Sequence, residues 1–123
     1  MNVNVISQAL INMGYRKAKT NIFLKPIGFA LLLVEFRPNE NCLVMTNAFN
    51  NAKNEYMIWS HKDILCGDIE NEFTGEELYN EYCNSIAQAE SEIGLENSMT
   101  FKRSTGMKTF AFKTDNNVYQ IFN

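Results

Sequence analysis

Apolar positions recur at helical spacing in two parts of this chain and elsewhere gather into short runs separated by turn residues. Near the start, Val5, Ile6, Ala9, Leu10 and Met13 share one side of a helical wheel, and Gly14 follows where a left-handed residue closes a helix. The spacing predicts a short amphipathic helix over 4–13. TNIFLK and FALLLVEF, joined through Pro26-Ile27-Gly28, read as a hairpin. Because Leu31, Leu32, Leu33 and Val34 leave neither strand face polar, the second of these strands is expected to be central and covered on both sides. After the turn cluster Arg37-Pro38-Asn39-Glu40-Asn41, CLVMTNAF reads as a third strand, and EYMIWSH, beyond the polar loop 50–54, as a fourth.

The second helix announces itself more strongly. Thr74-Gly75-Glu76-Glu77 has the spacing of a capping box, and Leu78, Tyr82, Ile86, Ala89 and Ile93 then recur every three or four residues up to Gly94. The remaining third suggests a meander. With Thr105-Gly106 as one loop and Asp115-Asn116 as the next, Phe101 falls opposite Phe110, Met99 opposite Phe112, Phe112 opposite Tyr119 and Phe110 opposite Ile121, all on one face. The order α-β-β-β-β-α-β-β-β lacks the βαβ alternation of a parallel sheet. It predicts a single α+β domain, 1–123: a mainly antiparallel, curved sheet of about seven strands. The long acidic helix should lie on one face, with the short N-terminal helix or a second subunit of a homo-oligomer over the other.

Composition narrows the class. The 123 residues, 46% apolar and 20% charged, suit one globular domain with its own core. No apolar run reaches the length a membrane helix needs, and MNVNVISQAL lacks the pattern of an export signal, so a cytoplasmic protein with no membrane partner is expected. Cys42, Cys66 and Cys83 are odd in number and include no CxxC pair, which reads as free thiols in a reducing compartment. The seventeen asparagines match AT-rich coding, as in many phages and some bacteria.

Candidate chemistry concentrates in WSHKDILC, residues 59–66, which holds the only tryptophan and the only histidine. Read as the end of a strand and the start of a loop, it puts Met57, Trp59 and His61 on one face, with His61 at the strand's exit. Three cysteines and one histidine could in number make a zinc shell, but none of their spacings is the two-to-four-residue step of a metal knuckle. A Cys–His nucleophile would pair His61 with Cys66 or Cys83, yet no third group is placed to orient the ring. Neither GxGxxG nor GxxxxGK[ST] occurs. The expectation is a protein with no catalytic residues, no metal and no cofactor.

Charge is the informative feature. From 63 to 101 there are ten acids and no lysine or arginine, whereas the rest of the chain holds all eleven bases and four acids. A −10 segment and a +7 remainder thus hide behind a formal −3. Helix-dipole attraction accounts for Glu76 and Glu77 in a first turn but not for Glu90 or Glu92. Like charges at Glu72–Glu76 and Glu77–Glu81 should repel wherever they sit on one helix. Either basic strands of the same domain neutralise the acids, or Asp68, Glu70, Glu72, Glu76, Glu77 and Glu81 form a ridge for a basic protein surface. A carboxylate ridge can imitate a phosphate backbone, which suggests a phage-type inhibitor of a nucleic-acid-handling protein. The alternative is a single-stranded nucleic-acid binder using Arg16, Lys17, Lys19 and Lys25 together with Lys102, Arg103, Lys108 and Lys113. Nucleic acid is disfavoured, because the paired aromatics and Lys102 and Lys113 fall on opposite faces.

Overall fold

In a computed structural model that describes residues 1–27, 30–50, 56–102 and 110–111, the chain is an α+β protein with an open antiparallel sheet. Helix α1 (Val3–Asn12) precedes strands β1 (Arg16–Lys19), β2 (Ile22–Ile27), β3 (Ala30–Arg37), β4 (Cys42–Asn50) and β5 (Tyr56–Cys66). Helix α2 (Gly75–Lys102) and a two-residue strand, β6 (Phe110–Ala111), follow. The strands lie side by side in chain order, every pair antiparallel. Each neighbour in sequence is thus a neighbour in space, as short connections favour.

Local chemistry explains α1 well. The Asn2 side chain accepts the Val5 N–H at its start. At its end Gly14, at φ +95, lets the Tyr15 N–H reach the Leu10 carbonyl at 2.9 Å and the Gly14 N–H reach that of Ile11 at 3.1 Å. This is the paired closure of a Schellman motif, and only glycine takes that backbone angle without strain.

The core has two parts, one on each face of the sheet. On one face Leu32, Val34, Phe36, Leu43 and Met45 meet Ile6, Ala9 and Leu10 of α1 and Leu78, Tyr82, Ile86, Ala89 and Ile93 of α2. On the other, Leu31 and Leu33 of β3 join Leu24 and Ala48 in a smaller buried cluster. The central strand is therefore buried on both sides, as its unbroken apolar run requires. The two helices do not divide the faces between them, however. They share a single cluster and touch each other, the Asn12 amide donating to the Tyr79 hydroxyl at 2.8 Å.

Several expectations need correction. Among the described residues the sheet has five strands of four or more residues plus β6, against about seven expected over the whole chain. Strand β1, RKAK, was invisible to pattern because an edge strand with one half-buried side chain shows no apolar alternation. Helix α2 does not stop at Gly94 but runs to Lys102, so Met99 and Phe101 are helical and cannot open a hairpin. A glycine costs a helix only about 1 kcal/mol, and Ile93 and Asn97 on either side are buried and hold the helix down. The helix begins at Gly75, whose φ of +57 turns the chain in without a Thr74–Glu77 capping box. Phe110 pairs with Ile58 of β5. Phe112, Tyr119, Ile121 and the two expected C-terminal loops lie outside the described residues, as do 28–29 and 51–55.

One buried polar contact ties α2 to the sheet. The Asn47 amide on β4 donates to the Asn97 side-chain oxygen at 2.6 Å, and the Asn97 amide returns a longer bond of 3.4 Å. Both residues are buried among apolar neighbours. Asn47→Leu strands the Asn97 amide and is expected to cost about 1–3 kcal/mol. Asn47→Leu with Asn97→Leu should recover most of that loss, which urea unfolding of the two variants will show.

Candidate functional site

The segment WSHKDILC is strand for its whole length, not a strand end and a loop. Opposite Asn47 stands Ser60 and opposite Ala48 stands Ile58, so Trp59 is an extra residue and the odd–even alternation breaks there. His61 is consequently the partner of Thr46, on the face shared with Ala48 and opposite to the one that simple alternation from Met57 assigns it. The imidazole Nδ1 lies 2.9 Å from the Thr46 hydroxyl, and the residue is exposed. A second register shift, at Leu43/Val44, brings the end of β5 back so that Cys66 faces Cys42.

Those two cysteines form a disulfide and only Cys83 is free, which corrects the reading of three free thiols. The bond follows from β5 continuing five residues past His61, beyond the reach of any apolar pattern. A sulfur held in a disulfide is neither a nucleophilic thiolate nor a metal ligand. The inference of a reducing compartment from free thiols loses its ground as well. Among the described residues no three His, Cys, Asp or Glu side chains converge as metal ligands would, and no helix is long and apolar enough to cross a membrane.

Acidic residues divide into two populations along the segment that follows. The C-terminal half of α2 is neutralised by the sheet beneath it. Glu90 accepts the Tyr15 hydroxyl at 2.6 Å and the Lys25 ammonium at 3.1 Å, while that ammonium also sits 5.2 Å from the centre of the Tyr15 ring. Lys62 on β5 donates to Glu92, and the Ser60 hydroxyl donates to Glu96 at 3.1 Å. The hydrogen bond from Lys62, helped by one from Gln88, holds the Glu92 carboxyl below its ordinary pKa.

At the other end the six residues singled out in the sequence do not all behave alike. Gly67, at φ +93, donates to the Asn41 carbonyl, and the chain then enters a loop whose Ile69 and Phe73 pack on the helix-side core. Asp68 is a loop-former: its carboxylate accepts the Glu70 N–H at 3.0 Å. Glu70 is half-buried, with one oxygen 3.8 Å from the Met1 amine. Glu72, Glu76 and Glu77 are exposed, Glu81 is half-buried, and among the described residues none of the four has a lysine or arginine partner. The structure thus gathers four unneutralised carboxylates at the start of α2, with Asp68 and Glu70 engaged in holding the loop that leads to them.

Basic side chains are distributed unevenly too. Lys25 and Lys62 are taken up by Glu90 and Glu92. Arg37 is bound by Glu35 at 2.5 Å and lies 3.7 Å from Glu40, beside an open recess of about 530 Å³ between the β1–β2 and β3–β4 turns. Lys17 and Lys19 stand exposed on the edge strand. Arg103, Lys108 and Lys113 lie outside the described residues.

Tyr15 gives the site's anchor a signature in pH. Burial foremost, then the hydrogen bond to Glu90 and its negative charge, push the phenol pKa up from its ordinary value of about 10. Because the unfolded chain ionises first, the stability linked to this proton is fully present below about pH 10 and is lost as the pH rises beyond it. Tyr15→Phe should therefore flatten part of the alkaline decline, measured as urea midpoints between about pH 8 and about pH 11. No protein-family model, no curated protein and no solved structure matches this chain, so a functional reading rests on the charges and contacts just described.

Proposed function

We propose that this chain is a non-enzymatic protein-binding module that presents the start of α2 and its leading loop to a basic surface of another protein. The observation that carries the reading is the contrast along α2 and the loop that leads into it. Glu90 and Glu92 are matched by bases of the chain's own sheet, whereas Glu72, Glu76, Glu77 and Glu81 have none among the described residues. Repulsion between Glu77 and Glu81, one turn apart, is a few tenths of a kcal/mol that a cationic partner would turn into attraction.

Rigidity supports the same reading. Ile69, Phe73, Leu78 and Tyr82 pin the loop and the helix start to the core, so the backbone that carries these carboxylates is held in place and mainly side-chain order has to be gained on binding. Carboxylates spaced along a loop and a helix resemble the charge pattern of a phosphate backbone, which makes a nucleic-acid groove the class of basic surface that would accept them. An inhibitor of a nucleic-acid-handling protein is the form such a module would take.

The test compares the intact chain with Glu72→Gln/Glu76→Gln/Glu77→Gln/Glu81→Gln. A partner recovered with the tagged chain from its native host should carry a basic surface. Its association rate with the purified chain should fall as salt rises, and the quadruple variant should lose at least about tenfold in affinity. Equal binding by the variant would remove the acidic face from the account. Strong, salt-sensitive retention of labelled single-stranded nucleic acid by the wild-type chain would instead favour the basic strands.

A further inference from the structure

We propose that the Cys42–Cys66 disulfide is a thiol-exchangeable latch: a small thiolate attacking Cys66 Sγ opens it and frees the acidic loop 67–74 without unfolding the sheet. The placement of the pair carries this. Cys42 begins β4 and Cys66 ends β5, at the last rung of their ladder, and Cys66 is exposed while Cys42 is half-buried. Every other pairing from Leu43–Leu65 to Asn50–Tyr56 holds the two strands together independently of the sulfurs. The helix-side core, in which Leu43 and Met45 are fully buried, does not need the bond either. Its loss is therefore felt at the end of the sheet, where local opening is easiest.

What lies at that end is the start of the acidic loop. Gly67, next after Cys66, donates to the carbonyl of Asn41, next before Cys42, at 2.9 Å. Asn41 itself holds a left-handed backbone at φ +50. The disulfide and this hydrogen bond form a double tie across the mouth of the loop; with the disulfide opened, the Gly67–Asn41 bond is the backbone tie left between its two sides, the Met1 amine still holds the Asn41 side chain at 2.9 Å, and the loop beyond depends on the packing of Ile69 and Phe73.

The chemistry balances with an external thiol as reductant. An incoming thiolate bonds to the accessible Cys66 Sγ as the Cys42–Cys66 bond breaks, and Cys42 leaves as a thiolate that takes up a proton. A second thiol then attacks the mixed disulfide, releasing Cys66 as a thiol and the reductant as its own disulfide. Arg37 of β3 is the register partner of Cys42, so Arg37, Cys42 and Cys66 form one row across three strands, with the Arg37 guanidinium itself engaged by Glu35 and Glu40. Asp63 and Asp68 flank Cys66 in sequence. A cationic thiol should accordingly react faster than an anionic one.

The proposal concerns the chain alone and stands whether or not the acidic face has a partner. Its test is amide hydrogen exchange of the full chain, oxidised, reduced by cysteamine or by glutathione without denaturant, and reoxidised with oxidised glutathione. Alkylation and mass analysis report the state of Cys42 and Cys66. On reduction, amides in 67–74 should exchange at least about tenfold faster while those in 31–36 keep their protection, and reoxidation should restore the first. Cysteamine should act faster than glutathione at low salt, with the difference shrinking as salt is added. Cys42→Ser/Cys66→Ser should fold and match the reduced chain. Resistance to both thiols, unchanged exchange at 67–74, loss of protection throughout the sheet, or failure of the double variant to fold would each overturn the latch.

Discussion

Glu90 stands where three parts of the chain meet, and the arrangement of the rest follows from satisfying it. Its carboxylate takes the hydroxyl of Tyr15, from the segment that closes α1, and the ammonium of Lys25, from β2. Tyr15 is 4% exposed, so its hydroxyl cannot turn to water and needs an acceptor. A charge held this close to the core is tolerated because a cation and a phenol share it. The consequence is that α2 cannot slide along the sheet or rotate without leaving a phenol, an ammonium and a carboxylate unpaired together. The Asn47–Asn97 pair, farther along the same helix, applies the same restriction in uncharged form.

That anchoring gives the charge layout its meaning. Acids that look equivalent along a single basic-free stretch fall into a structural group, drawn down onto Lys25 and Lys62, and a group facing outward at the start of α2. The apolar side chains that bury the helix start, Leu78 and Tyr82, turn to the core, while Glu76 and Glu77 stand exposed and Glu81 lies half-buried at the edge of that face. The same packing that fixes the helix thus keeps its outer acids apart from the chain's own bases. A cationic surface elsewhere is the counterpart such an arrangement favours.

Irregularities in β5 shape the other end. Two one-residue register shifts against β4 re-aim His61 and bring Cys66 opposite Cys42, so a strand that alternation describes only as far as its histidine ends in a covalent link beside the acidic loop. Bulges of this sort bend a strand and exchange its faces. Here they decide which side chains line the sheet and which stand where the loop departs.

The sequence by itself determined the α+β class, the Schellman closure of α1 at Gly14, the buried face of α2 and the two-sided burial of Leu31 to Val34, since each depends on residue type at short spacing. It also located the acidic stretch, which is a matter of composition along the chain. Tertiary structure alone decided the rest, because each remaining feature joins residues far apart in sequence. Met99 and Phe101 alternate as a strand would, yet they belong to a helix already held down by Ile93 and Asn97. RKAK has no apolar period, yet it pairs because β2 offers it an edge. Cys42 and Cys66, 24 residues apart, become partners only through the register of two bulged strands, and Glu90 parts from Glu76 only because Lys25 lies beneath one and not the other. Spacing along a chain reports which face a residue takes; which residues meet across faces is settled when the elements pack.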